Sequence, residues 1–243
     1  MQVTIDHTNI DYLDIGNPRS VQTIVFLHGW HNLANKEIYL ELLKLLSDKF
    51  RVIAIDFPGF GKSPEPLQAW TVSDYARLVE KFIDHLKIKK CILIGHSFGG
   101  RVATKIAAKN PKNVEKLILI ASAGVEKKAL NIRFLAFTAG ITPQFIKKIF
   151  SEYVGSVDYK KTTGIMRQTF KNVINEDLQH LFPQIKIPVL LVWGQLDNTT
   201  PLAHAKIMHQ LLPDSKLKII PEGNHGIPYR HAQKVAQIIL KEI

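Results

Sequence analysis

A serine among small residues is the first candidate for chemistry. Gly95-His96-Ser97-Phe98-Gly99-Gly100 follows an apolar run and opens a helical pattern. A nucleophile on a tight strand-to-helix turn needs small neighbours, and Gly95 and Gly99 give the backbone room to present Ser97 Oγ. The same turn aims helix N-terminal amides at the reacting centre, so the amide of Phe98 would be one donor to a developing oxyanion. A glycine-rich turn in a nucleotide-binding fold has the same outline, so the motif needs partners.

Serine is a poor nucleophile without a base, and the base needs an orienting acid. The expected chain order for this turn is serine, acid, histidine. Asp197 ends the run Pro188-Val189-Leu190-Leu191-Val192-Trp193-Gly194-Gln195-Leu196-Asp197, and His225 follows in Pro221-Glu222-Gly223-Asn224-His225-Gly226. Both lie past the C-terminal ends of strand patterns, on the edge that carries Ser97 and on which open α/β sheets bind ligands. Asp56 also ends a strand pattern and is the rival acid. His96 is read as structural, its side chain directed away from the nucleophile. The loop Leu27-His28-Gly29-Trp30-His31 follows an early strand, and its Trp30 amide is the second candidate oxyanion donor. His31 is a candidate to face the pocket.

Other chemistries fail on spacing. Gly61-Lys62-Ser63 resembles the end of a phosphate-binding loop, but Asp56 stands where the upstream glycine is required. His204 and His209 are five apart, which is not a metal-ligand spacing on a helix. No cofactor and no metal is expected.

The elements that must position these residues alternate. Thr23–His28, Arg51–Asp56, Cys91–Gly95, Lys116–Ala121, Pro188–Gly194 and Leu217–Pro221 read as buried strands. Glu37–Lys49, Val72–Leu86, Gly99–Asn110, Ala203–Leu212 and Gln233–Ile243 read as amphipathic helices between them. This rhythm predicts a parallel sheet with helices on both faces. Val3–Ile15 alternates more weakly around Asn9 and predicts an antiparallel hairpin at the sheet edge. The rhythm breaks once, between Ala121 and Ile187, where the pattern reads as helical. An insertion of that size between core strands is usually functional.

The bulk composition excludes several classes. The chain has 243 residues and a net charge of +11. Its lysines are spread along the sequence as pairs such as Lys89-Lys90 and Lys147-Lys148, with no basic stripe interleaved with aromatics, so nucleic acid is not an expected partner. No apolar run approaches the roughly 20 residues that span a bilayer, so stable membrane insertion is not expected. The N-terminus lacks a signal-peptide pattern and Cys91 is the lone cysteine, which together predict a cytoplasmic protein.

Taken with Phe26-Leu27-His28-Gly29-Trp30 and Asp56-Phe57-Pro58-Gly59-Phe60-Gly61-Lys62-Ser63, these motifs resemble the α/β-hydrolase superfamily over essentially the whole chain. The resemblance is to small bacterial carboxylesterase-like members with a helical cap. It implies a mostly parallel eight-stranded sheet flanked by helices, with the cap inserted between the sixth and seventh strands. Residues 1–124 and 183–243 would form the core and 125–182 the cap. By this resemblance Ser97, Asp197 and His225 would form a catalytic triad. The cap residues Phe134, Phe137, Phe145, Met166 and Phe170 are candidates to line the pocket. The expected activity is hydrolysis of small carboxylic esters through an acyl-enzyme, by a monomer or homodimer. A lactonase, thioesterase or carbon–carbon bond hydrolase with the same triad, or a low-turnover ligand receptor, would share the motifs.

Overall fold

A computed structural model of the chain describes residues 1–20, 22–31, 35–125, 164–174 and 176–243. Its eight strands are β1 (Gln2–Ile5), β2 (Thr8–Ile15), β3 (Thr23–Leu27), β4 (Arg51–Ile55), β5 (Cys91–His96), β6 (Val114–Ile120), β7 (Val189–Gly194) and β8 (Ser215–Ile220). They form one sheet in the order β1-β2-β4-β3-β5-β6-β7-β8. The β1–β2 and β2–β4 pairings are antiparallel, and every other pairing is parallel.

The edge hairpin forms as expected. Asp6 and His7 both take positive φ and make the reversal. Asn9 pairs with Thr4 inside the ladder and accepts a hydrogen bond from its hydroxyl at 2.7 Å.

Successive strand residues point to opposite sheet faces, and the core divides accordingly. Val25, Leu27, Ile53, Leu93, Leu119 and Leu191 join one apolar cluster, with side chains from α2 (Val72–His85), α3 (Phe98–Ala107) and α5 (Leu202–Leu211). Ile24, Phe26, Val52, Ile94, Ile120 and Val192 join the other, with α1 (Leu40–Ser47) and α7 (Ala232–Glu242). All residues of β3, β5 and β7 are buried, which is why these strands read as continuous apolar runs. Helix α2 starts at a capping box in which Thr71 and Asp74 satisfy each other's amides.

The helix expected over Glu37–Lys49 is divided. Residues Lys36–Tyr39 form a tight 3₁₀ turn capped by the Asn35 side chain, and α1 follows it. Lys36 is held inward by Asp11 and Asp56, which fixes the turn ahead of the helix.

The segment expected as a cap lies between β6 and β7 in the chain. Its described part includes α4 (Gly164–Ile174) and a 3₁₀ stretch, Gln179–Gln184. Phe134, Phe137 and Phe145 lie outside the described residues. Helix α4 is tied down at both a side and an end. Thr169 Oγ1 accepts the Trp70 amide at 3.0 Å. Buried Arg101 of α3 donates to the Ile174 carbonyl at 3.0 Å and to the Glu176 carbonyl, satisfying groups a helix C-terminus leaves open. A four-residue helical turn, α6 (Ile227–Arg230), precedes α7. Among the described residues no helix is long and apolar enough to cross a membrane.

Candidate active site

Parallel strands bring four loops to one edge of the sheet. Ser97 follows β5, Asp197 follows β7, His225 follows β8, and Trp30 follows β3. Ser97 has φ 51 and ψ −111, a conformation that L residues rarely adopt. Strain of this kind concentrates at functional sites and is held by its surroundings. Here the Ser97 amide donates to Ile120 at 3.1 Å, and its carbonyl accepts the amides of Gly100 and Ala123 at 3.0 Å each. The sharp turn needs α3 tight against β3, and Gly99 allows it because a Cβ there would meet the Leu27 and His28 backbone.

The structure brings the three sequence candidates together. Ser97 Oγ lies 3.0 Å from His225 Nε2, and His225 Nδ1 lies 2.9 Å from Asp197 Oδ2. Asp197 is only 3% exposed, yet its carboxylate is fully bonded. Oδ1 accepts the amides of Thr199 and Thr200, each at 2.8 Å, and Oδ2 accepts the Thr200 hydroxyl at 2.8 Å. Burial pushes this carboxyl up, but the hydrogen bond and charge of His225 and the Thr200 bonds outweigh it and hold it below the usual range. Asp56 is engaged elsewhere: it accepts the Lys36 ammonium at 2.6 Å and the Lys36 amide at 2.7 Å.

The two candidate oxyanion amides flank the serine. A Cβ on Gly29 would stand 3.2 Å from Ser97 Cβ, so the Gly29–Trp30 backbone runs directly beside the nucleophile. Phe98 is the first residue of α3. Among the described residues neither the Trp30 nor the Phe98 amide meets an acceptor within the protein.

The family model of the alpha/beta hydrolase fold matches residues 22–152 and 143–232. The chain belongs to this family. This alpha/beta hydrolase is 27% identical to an uncharacterised hydrolase of Bacillus subtilis, over 97% of this chain and 94% of that one. It is 25% identical to a monoacylglycerol lipase of Mus musculus, over 93% of this chain and 76% of that one. Its fold is similar to that of an esterase from Exiguobacterium antarcticum, with a TM-score of 0.77 and 24% identity over 98% of this chain and 96% of that one.

The hydrolase orients its Gly29–Trp30 peptide through His28, a role the sequence did not announce. The Phe57 amide donates to His28 Nε2 at 2.9 Å, so the ring proton is on Nδ1, which donates to the Gly29 carbonyl at 2.7 Å. That carbonyl and the Trp30 N–H share one trans peptide and point opposite ways. Burial pushes His28 down to about 4, so the ring stays neutral.

Aromatic side chains build the wall around these amides. The Trp30 ring packs edge-on against Phe60, Phe98 and Phe170, with centroids 4.8, 5.3 and 5.2 Å away. Phe170 therefore reaches the site from α4, and Met166 sits against Gly59, where a Cβ would collide with its sulfur. His31 is exposed. Thr200, like His28, was missed; its signal was local, since a carboxylate accepting amides two and three residues on is a common Asp turn. His96, expected to direct its side chain away from the nucleophile, reaches toward His225, with Nε2 3.0 Å from the His225 carbonyl.

Proposed function

We propose that this hydrolase cleaves small carboxylic esters with Ser97 as nucleophile. One observation carries the reading: Ser97, His225 and Asp197 form a continuous hydrogen-bonded chain at 3.0 and 2.9 Å, with the serine on a strained turn. The likeness to a monoacylglycerol lipase supports an ester as substrate.

In this mechanism His225 Nε2 takes the Ser97 proton as Oγ attacks the ester carbonyl. The Trp30 and Phe98 amides hold the oxyanion of the tetrahedral adduct. Asp197 keeps the proton on His225 Nδ1 and stabilises the imidazolium. The adduct collapses when His225 gives its Nε2 proton to the departing alcohol, leaving an acyl-serine. Water, deprotonated by the same nitrogen, attacks that acyl group, and the acid leaves as Ser97 regains its proton. No other group is needed to balance either half.

Residues 125–182 are proposed as a cap over Ser97, supported by the contact of Phe170 with Trp30. A cytoplasmic setting agrees with the single, buried Cys91. The test is a panel of p-nitrophenyl esters, lactones and thioesters with a Ser97→Ala control. The expected result is ester turnover that falls by at least about a thousandfold in the variant. Turnover surviving in Ser97→Ala overturns the assignment.

A further inference from the structure

His96 and Tyr39 are both buried, at 3% and 1% exposure, and neither enters the mechanism above. Tyr39 Oη lies 2.9 Å from His96 Nδ1, and His96 Nε2 lies 3.0 Å from the backbone carbonyl of His225. The Gly29 amide donates to Tyr39 Oη at 3.2 Å. The direction of this chain follows from the groups themselves. A carbonyl only accepts, so His96 Nε2 carries a proton. Burial, with the nearby His225, pushes His96 down to about 3, so the ring is neutral and Nδ1 is bare. Nδ1 must then accept the Tyr39 hydroxyl proton, which leaves an oxygen lone pair for the Gly29 amide. Every donor and acceptor is used once, in a single sense.

The two ends of this chain are functional loops. Gly29 precedes the Trp30 amide, and His225 is the proposed base. The chain passes through the residue immediately before Ser97. The rings reinforce it: His96 packs tilted against His225 with centroids 5.0 Å apart, and Tyr39 packs 5.8 Å from Tyr229. Gly29 is required at its end, because a Cβ would stand 2.9 Å from His96 Nδ1.

We propose that Tyr39 and His96 are positioning residues: a one-way hydrogen-bond wire from Gly29 through Tyr39 and His96 to the His225 carbonyl fixes the distance between the oxyanion loop and the base. It rests on the serine mechanism proposed above. Positioning matters because small misplacements of reacting groups cost rate while leaving substrate binding intact.

The experiment compares kcat and KM for a p-nitrophenyl ester across Tyr39→Phe, His96→Phe and His96→Gln, with thermal melts on each. Tyr39→Phe removes one oxygen and should lower kcat about tenfold with KM within about twofold. His96→Phe should do the same or worse. His96→Gln again offers one acceptor and one donor, and should recover kcat to within about threefold of the native protein. A native kcat in Tyr39→Phe, or His96→Gln no better than His96→Phe, overturns the proposal. A second measurement needs no variant. Nitrogen NMR of the native protein should show His96 protonated at Nε2 and His28 at Nδ1, and a proton on His96 Nδ1 overturns the wire. A Ser97→Ala arm that retains turnover instead defeats the serine mechanism, a result distinct from either.

Discussion

Thr200 Oγ1 stands 2.8 Å from Asp197 Oδ2 and 3.2 Å from His225 Nδ1, at the junction of acid and base. Its one proton goes to the Asp197 carboxylate, and the Ala121 carbonyl lies 3.0 Å away on another side. The oxygen fills the space beside the His225–Asp197 bond. Thr200→Val keeps the shape and both backbone amides but removes the hydroxyl. We expect kcat for an ester to fall about tenfold, roughly 1.4 kcal/mol of barrier, with KM little changed. Steady-state kinetics checks this, and a Val variant with native kcat would remove Thr200 from the machinery.

Acid should destabilise this protein beginning near neutrality. His28 and His96 are pushed down to about 4 and about 3, in both cases chiefly by burial. Unfolded, each would titrate at its ordinary 6.5. Below that pH the unfolded chain takes up protons that the folded one refuses, so stability is whole above pH 6.5 and drains as pH falls toward the folded values. Between pH 7 and 5 the loss is about 2 kcal/mol per histidine. Urea unfolding at the two pH values checks the sign. In His28→Gln or His96→Gln the slope should be shallower, and an unchanged slope would assign the acid sensitivity to other groups.

Lys36 places its ammonium between two buried carboxylates, Asp11 and Asp56. Its ammonium contacts both, and it is held in its charged form, because these bonds outweigh the cost of burial. Removing one partner of such a group leaves uncompensated charge and typically costs about 3 to 5 kcal/mol. Lys36→Met should show that loss in a denaturant melt. Adding Asp11→Asn should return part of it, because Asp56 keeps the amides of Lys36 and Lys62. A double variant less stable than Lys36→Met alone would show that charge is not the cause.

How far the sequence reached follows from which interactions are local. Ser97, Asp197 and His225 each follow an apolar run within a few residues, so the strand pattern alone places them at one edge. The core strands came through for the same reason. The start of β8 did not: Ser215 and Lys216 pair with β7 while remaining half-buried or exposed, so they lack an apolar signature. The position of the edge turn had no signal, because Asp6 and His7 carry their positive φ without a glycine. Tyr39 had no signal, since its partner His96 is 57 residues away and the bond exists only once β5 and the turn before α1 are packed. His96 was legible as structural but not as a link to His225, for the same cause.

Phe170 is the described aromatic through which α4 meets Trp30, at 5.2 Å, and it is 7% exposed. Trp30 carries a proposed oxyanion amide, and we expect its indole to lie beside the acyl group of the substrate. Phe170→Ala should therefore do two separable things. It should cost stability, up to the roughly 3 kcal/mol lower bound for truncating a buried phenylalanine, because α4 loses its contact with the wall. It should also open space beside the indole, so that relative kcat/KM shifts toward longer or bulkier acyl groups. Phe170→Leu fills most of that space and should shift the profile less. A chain-length series of p-nitrophenyl esters reads the shift, and a thermal melt reads the stability. If the series runs parallel to the native one while the melt falls, Phe170 only holds α4 in place. A profile that broadens in step with side-chain volume makes the same ring a wall of the acyl pocket, because packing loss alone does not discriminate between substrates.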